Sequence, residues 1–424
     1  MEYKFPKDFF WGAATAAHQV EGGNINDWSE WEKQNANHLA QIANRKKWPD
    51  SILNNYPNPL QPENYISGQA CDHYNRYEQD FDIAKQLGQN AHRFSIEWSR
   101  VQPQEGKFNE EAIEHYQKVI LVLKARGIEP FITLWHFTDP VWISKAGGWE
   151  NKKTIEKFLL YVKKITDVLG PEVKFWIPIN EPSVYAGMGY IVGAFPPGVK
   201  NYRRANKVLK NLIKAHVRTY KIIHEKLKRA MVGSTHNLHY HVSYRKSHPL
   251  DQLATKILDY IRDTRSLNWS RNYQDFIGLN YYYRDTIKFV FSGGRFGSID
   301  IKNPTQEVSD LGWDIYPEGI YYSLKKIKRY KKPIFITENG IADAADSKRV
   351  KFIEDNLKWT HKAIQEGADV RGYFYWSLLD NFEWDKGFWP RFGLVEIDYK
   401  TLERKIRPSA WEYAKICKNN SIDV

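Results

Sequence analysis

Eight short apolar runs, rich in β-branched and aromatic residues, recur along the chain with a longer segment after each. That alternation constrains the fold more than any other feature. The runs are Phe9 to Ala13, Asn90 to Ile96, Pro130 to Trp135, Lys174 to Ile179, Met231 to His236, Phe276 to Tyr282, Pro333 to Thr337 and Gly372 to Ser377. Between them Tyr74 to Leu87, Glu110 to Arg126, Lys152 to Leu169, Tyr202 to Lys228, Glu318 to Arg329 and Val350 to Glu366 carry apolar residues at helical spacing. Strands that alternate with helices are parallel and joined by crossovers, and eight such units close into a (β/α)8 barrel, an α/β fold of the TIM-barrel type. The link between the fifth and sixth strands is long, and only Asp251 to Arg265 reads as helical within it.

No Pro-, Gly- or Ser-rich linker and no repeat divides the 424 residues, so residues 1–424 read as one catalytic domain. A polar segment at about 37–68 reads as an insertion after the first strand. It is either a rim or lid element on the catalytic face or a passive surface excursion. The net charge of +12, from 62 Lys and Arg against 50 Asp and Glu, is spread along segments such as Lys207 to Lys228, which read as solvated helix faces. No nucleic-acid motif accompanies it. Two distant cysteines, Cys71 and Cys417, form neither a disulfide framework nor a CxxC pair. The start, MEYKFPKDFF, lacks an apolar signal core, and no run is long enough to span a membrane, so a cytoplasmic location is expected. HExxH, GxGxxG and GxSxG patterns in suitable contexts are missing, which leaves no expected metal or cofactor.

In a barrel of this kind the chemistry gathers where the strands end. The run KPIFITENGI stops its strand on Glu338, and KFWIPINE stops another on Glu181. Other polar and aromatic residues fall at the same end: His18-Gln19, Trp135-His136, Asn180, Asn280, Tyr282 and Trp376. Arg93, inside HRFSIEW of the second strand, would need a carboxylate in the barrel mouth. Glu181 and Glu338, on strands four and seven, can face each other, and two carboxyls across one pocket are the equipment of glycoside hydrolysis. Arg93 and Tyr282 are expected to keep Glu338 ionised, while Glu181, beside that charge, is expected to stay protonated. Bland readings exist for each residue: Arg93 with Glu338 as a structural ion pair, Asn180 as a turn residue, Trp135-His136 as a core pair. Their convergence on one barrel end favours a site. Sixteen Trp, within 15% aromatic residues, suit a ligand with flat apolar faces such as a sugar.

Seven motifs in fixed order resemble glycoside hydrolase family 1, the β-glucosidase and β-glycosidase family, over nearly the whole chain. They are FFWGAATAAHQVEG (Phe9 to Gly22), HRFSIEWSR (His92 to Arg100), TLWHFTDP (Thr133 to Pro140), INEP (Ile179 to Pro182), GLNYY (Gly278 to Tyr282), ITENG (Ile336 to Gly340) and YWSLLDNFEW (Tyr375 to Trp384). The resemblance implies Glu181 as acid/base and Glu338 as nucleophile, with Arg93, Asn280 and Tyr282 tuning the nucleophile and Asn180 on the sugar 2-hydroxyl. It implies Gln19, His136, Glu383 and Trp384 as ligands of the 3-, 4- and 6-hydroxyls, with Trp376 beneath the ring. Trp135, Trp313 and Phe392 complete the expected substrate-binding set. The expected activity is a retaining, exo-acting β-glycosidase, a β-glucosidase with β-galactosidase side activity, acting on small β-glycosides or oligosaccharides. A transglycosidase using the same glycosyl ester and a non-catalytic carbohydrate-binding barrel are the alternatives. Glu383, expected to repel a phosphate, points to an unphosphorylated glycone. Ser183, where some members carry a large aromatic, and a short loop after ITENG imply a roomy leaving-group side on which Trp313 remains as a wall.

Overall fold

The computed structural model describes residues 2–292, 295–300 and 306–423. Eight parallel strands close a barrel: β1 (Phe10–Ala14), β2 (Ala91–Ser95), β3 (Glu129–Thr133), β4 (Phe175–Ile177), β5 (Met231–Asn237), β6 (Phe276–Asn280), β7 (Ile334–Asn339) and β8 (Val370–Trp376). Each strand pairs with the next in sequence, and β8 closes onto β1 through Gly372↔Phe10 to Trp376↔Ala14. The expected strand positions hold to within a few residues at each end.

The inner face explains how the mouth is built. Residues two apart share a face, and one end of the barrel is plugged by rings. Phe131 and Phe175 stack at 4.1 Å, and Phe10, Phe276, Phe335 and Phe374 pack edge-on or tilted around them. One layer up, small residues make room for polar side chains. A Cβ on Gly278 would lie 2.7 Å from Thr235 Oγ1 and 2.9 Å from Thr337 Oγ1, so glycine there lets both hydroxyls occupy the interior. Arg93 and Thr133 lie at this level, and Asn280, two residues beyond Gly278, stands at the mouth. Strand β7 is irregular. Its register against β6 jumps between Ile336↔Leu279 and Glu338↔Asn280. The extra residue re-aims the chain as a β-bulge does, and both Thr337 and Glu338 reach residues of the mouth.

Several elements depart from the sequence expectation. His18 and Gln19 do not extend β1 but sit in a single helical turn, Ala17–Val20, beyond it. Much of the polar segment after β1 is helical: Asp27–Ala43 runs into it behind an Asn26–Ser29 capping box, and Asp50–Leu53 and the 3-10 turn Pro62–Tyr65 follow. The β5–β6 link holds Pro249–Leu258, a π-helical stretch Asp259–Thr264 and Arg265–Ser270, and Tyr240–Ser243 pairs in parallel with Arg284–Ser292 outside the barrel. Among the described residues no helix is long and apolar enough to cross a membrane.

Candidate active site

The guanidinium of Arg93 organises the mouth. Its Nη1 donates to Glu338 Oε1 at 2.5 Å and to the Thr337 carbonyl at 3.2 Å, Nη2 donates to Asn180 Oδ1 at 2.5 Å, and Nε donates to Thr133 Oγ1 at 3.2 Å. Asn180 Nδ2 in turn meets His136 Nε2 at 3.1 Å. Burial, reinforced by Arg93, drives the His136 pKa well below the usual range, so the ring is neutral and accepts that bond at Nε2, leaving Nδ1 as its donor. The second oxygen of Glu338 accepts from Tyr282 at 2.7 Å. Asn280 spans the two carboxyls' surroundings: Nδ2 donates to Glu181 Oε1 at 2.7 Å, and Oδ1 accepts from Thr337 Oγ1 at 2.7 Å. Thr133 and Thr337 were not singled out from sequence, although they lie inside the TLWHFTDP and ITENG motifs.

Glu181 occupies a left-handed backbone conformation, φ +41°, immediately before Pro182. A non-glycine residue costs free energy there. Its amide is tied to the Thr235 carbonyl at 3.1 Å, and its own carbonyl caps the following helix at Val184 and Tyr185. These ties hold the side chain toward Asn280.

The two carboxyls differ in environment. Burial first, and then the charge of Glu338, push the Glu181 pKa up to about 8. Glu338 is also raised by burial, against the pull of Arg93 and the Tyr282 hydroxyl. This corrects the expectation that Arg93 would lower it outright, because the barrel mouth is too dry for one guanidinium to offset desolvation fully. The asymmetry survives, since Glu338 gathers a guanidinium and a phenol whereas Glu181 has the neutral amide of Asn280.

A second cluster adjoins the first. Gln19 Nε2 donates to Asn381 Oδ1 at 2.9 Å, to the Phe382 carbonyl at 2.8 Å and to Glu383 Oε2 at 3.4 Å. Gln19 Oε1 and His136 Nδ1 are buried with no partner among the described residues, which leaves an acceptor and a donor for other groups. Trp384 lies within an aromatic cage of His18, Trp28, His136, Phe137 and Phe195, with ring centroids 4.8 to 6.0 Å away. Burial, with help from Glu338 and Asp385, raises the Glu383 pKa to about 8. Glu383 is therefore mostly protonated at neutral pH, which corrects the expectation that it repels phosphate by a fixed charge. Trp376, the last residue of β8, lies 6.0 Å from the His136 ring and hydrogen-bonds Glu383. On the other side Trp313, Tyr282 and Phe392 form a mutually touching wall at 5.7 to 6.2 Å.

Trp135 is the site residue that the structure does not bring to the carboxyls. It is 1% exposed, gives its Nε1 hydrogen to Asp139 at 2.8 Å, and packs on Trp149 and Tyr185 behind the strand. The core reading of this residue is the better one. Asn381, buried and bonded to Gln19, was not singled out, although it stands within the YWSLLDNFEW motif. One His/Asp group escaped notice because its spacing matches no metal motif: His239, His241 and Asp285, with Asp263 beside them. Arg262 donates to Asp285 at 2.7 Å and Lys326 to Asp263 at 3.1 Å, so these carboxylates already have cations.

The family model for glycosyl hydrolase family 1 matches residues 1–262 and 260–422. Beta-glucosidase A of Thermotoga maritima is 32% identical over 99% of this chain and 99% of its own length. A 6-phospho-beta-galactosidase of Staphylococcus epidermidis is 30% identical over the full length of both. The solved beta-glycosidase from Pyrococcus horikoshii superposes with a TM-score of 0.88 and 38% identity, covering 100% of this chain and 97% of that one. Full-length agreement in sequence and fold, around a mouth holding two buried glutamates, leads to one conclusion: the chain belongs to glycosyl hydrolase family 1 and is a β-glucosidase-like glycoside hydrolase.

Proposed function

We propose that the protein is a retaining, exo-acting β-glycosidase that prefers an unphosphorylated β-glucoside and accepts β-galactosides as side substrates. The observation that carries the reading is the unequal pair of buried carboxyls. Glu338 is held by direct bonds from Arg93 and Tyr282, whereas Glu181 accepts from the neutral amide of Asn280 and feels Arg93 only at a distance, with its pKa pushed up to about 8. At neutral pH Glu181 carries the proton that the leaving oxygen needs, and Glu338 is the carboxyl best equipped to be ionised and attack the anomeric carbon. Attack forms a glycosyl ester on Glu338 as Glu181 gives its proton to the departing alcohol. The ester carries no charge, so the second largest cause of the raised Glu181 pKa disappears. Glu181 then takes a proton from water, and the water displaces the sugar from Glu338.

Gln19, His136, Glu383 and Trp384 are assigned to the sugar's outer hydroxyls. Glu383 donates as a protonated acid, and Gln19 Oε1 and His136 Nδ1 supply the unspent polar atoms. Among the described residues Glu383 forms no ion pair, which favours a neutral 6-hydroxyl over a 6-phosphate, a group that needs a cation. The test is proton NMR of the first product released from a β-glucoside. The β-anomer must appear before mutarotation, and initial release of the α-anomer would refute the double displacement.

A further inference from the structure

The polar segment after β1 does more than decorate the rim. We propose that its Asn64 is a positioning residue for the sugar pocket, fixing the loop that carries Glu383 and Trp384. This rests on the reading of those two residues as sugar ligands.

Residues 383–387 form a tight turn, closed by Glu383 N–H to the Gly387 carbonyl at 2.7 Å and Lys386 N–H to the Glu383 carbonyl at 2.9 Å. Within the turn Trp384 has φ +49°, a conformation that a large L-residue holds only when its surroundings demand it. The demand comes from two sides. From the helical turn after β1, Gln19 pairs with Phe382 in both directions, its backbone carbonyl accepting from the Phe382 N–H at 3.2 Å and its Nε2 donating to the Phe382 carbonyl at 2.8 Å. From the polar segment, Asn64 supplies three bonds. Its Nδ2 donates to the Lys386 carbonyl at 2.8 Å, its Oδ1 accepts from Trp389 N–H at 2.9 Å, and its backbone carbonyl accepts from Phe388 N–H at 3.1 Å.

The contact is too close for any side chain on the facing residue. A Cβ on Gly387 would fall 1.9 Å from the Asn64 carbonyl oxygen, and Gly387 also has φ +73°. Asn64 itself is fully buried. Its segment has further anchors on both sides. Glu32 bridges His18, at 2.7 Å, to the amide and hydroxyl of Ser67, at 2.8 and 2.7 Å, and Trp48 packs edge-on against Trp389 at 4.9 Å. The segment thus grips the β1 turn that carries Gln19 with one end and the β8 loop that carries Glu383 with the other. The relative placement of the two hydroxyl-binding arms depends on it.

The test compares wild type, Asn64→Ala and Asn64→Asp. It uses amide hydrogen exchange over residues 383–389 and kcat/KM on two 4-nitrophenyl substrates, the β-glucoside and its 6-deoxy analogue, which share a leaving group. In Asn64→Ala the amide of Trp389, whose acceptor is the deleted Oδ1, is expected to exchange about tenfold faster or more, and that of Phe388, bonded to the backbone carbonyl of residue 64, to change less. Glucoside kcat/KM is expected to drop about tenfold or more, mainly through KM. The 6-deoxy substrate, with fewer contacts to lose, drops less, so selectivity for the 6-hydroxyl falls. Asn64→Asp, which keeps the acceptor for Trp389 but not the Nδ2 donor, lies between, and it decides the matter alone if the alanine variant does not fold. Unchanged exchange overturns the proposal, and so does an equal drop on both substrates. Wild type inactive on both substrates would count against the glycosidase reading only, and the exchange measurement would still decide the role of Asn64.

Discussion

Replacing Tyr282 by Phe removes one atom, the hydroxyl that donates to Glu338 Oε2 at 2.7 Å, and leaves the ring packed on Trp313 and Phe392. A hydrogen bond to a charged group contributes about 1.5–3 kcal/mol. The bond favours the ionised form of Glu338, so its loss raises the Glu338 pKa further. At about 1.36 kcal/mol per pH unit the rise is about 1 to 2 units. In the proposed mechanism Glu338 must be ionised to attack, so the acidic limb of the kcat/KM profile moves up by that amount. The alkaline limb, set by loss of the proton from Glu181 near pH about 8, moves little. The bell therefore narrows from the acid side and its peak falls. The assay is kcat/KM for a 4-nitrophenyl β-glucoside across pH 4 to 10, in steps of about half a unit. A Tyr282→Phe enzyme that loses activity with its acidic limb in place would refute the argument that this hydroxyl holds Glu338 ionised.

Two further outcomes follow from the same geometry. Glu181→Gln leaves a side chain that still pairs with Asn280 but has no proton to transfer. Hydrolysis of glycosides with poor leaving groups should fall by about 100-fold or more, an activated leaving group should be released in a burst, and the alkaline limb near pH about 8 should vanish. Retention of that limb in the variant would assign it to another group, Glu383 first. Ser183 is half-buried and donates to Ser266 Oγ at 3.0 Å. Ser183→Trp should raise KM for bulky aglycones and leave small ones unaffected, and equal kinetics on both would show that Ser183 does not border the leaving-group side.

The barrel was legible because period and length suffice to tell buried parallel strands from amphipathic helices, and the polar residues at the strand ends marked the mouth. What lay beyond reach depends on geometry at the scale of one residue. The register jump before Glu338 leaves no mark in IFITEN, since a bulge is a matter of pairing with β6 and not of residue type. His18-Gln19 reads as a strand end because the apolar and small residues Phe9 to Ala17 run up to it, yet the chain turns helical at Ala17. Trp135 reads as part of the substrate-binding set beside His136, but successive residues in extended chain point to opposite sides, and Trp135 faces the core. Glu338 departs from the sequence expectation because burial costs its carboxylate more than Arg93 and Tyr282 return. Asn64 stood unremarked in a polar segment whose partner, the turn at Gly387, lies 323 positions away in the chain.

In the proposed double displacement Glu338 becomes covalently attached to the sugar. The most direct measurement is peptide-mapped mass spectrometry after incubation with a 2-deoxy-2-fluoro-β-glucoside bearing an activated leaving group, which slows release of any ester. One fluoroglucosyl label is expected on the peptide containing Glu338, and none on Glu338→Gln. A label on the peptide of Glu181, or a folded enzyme that hydrolyses β-glucosides without ever being trapped by the gluco, galacto or manno probes, would contradict it.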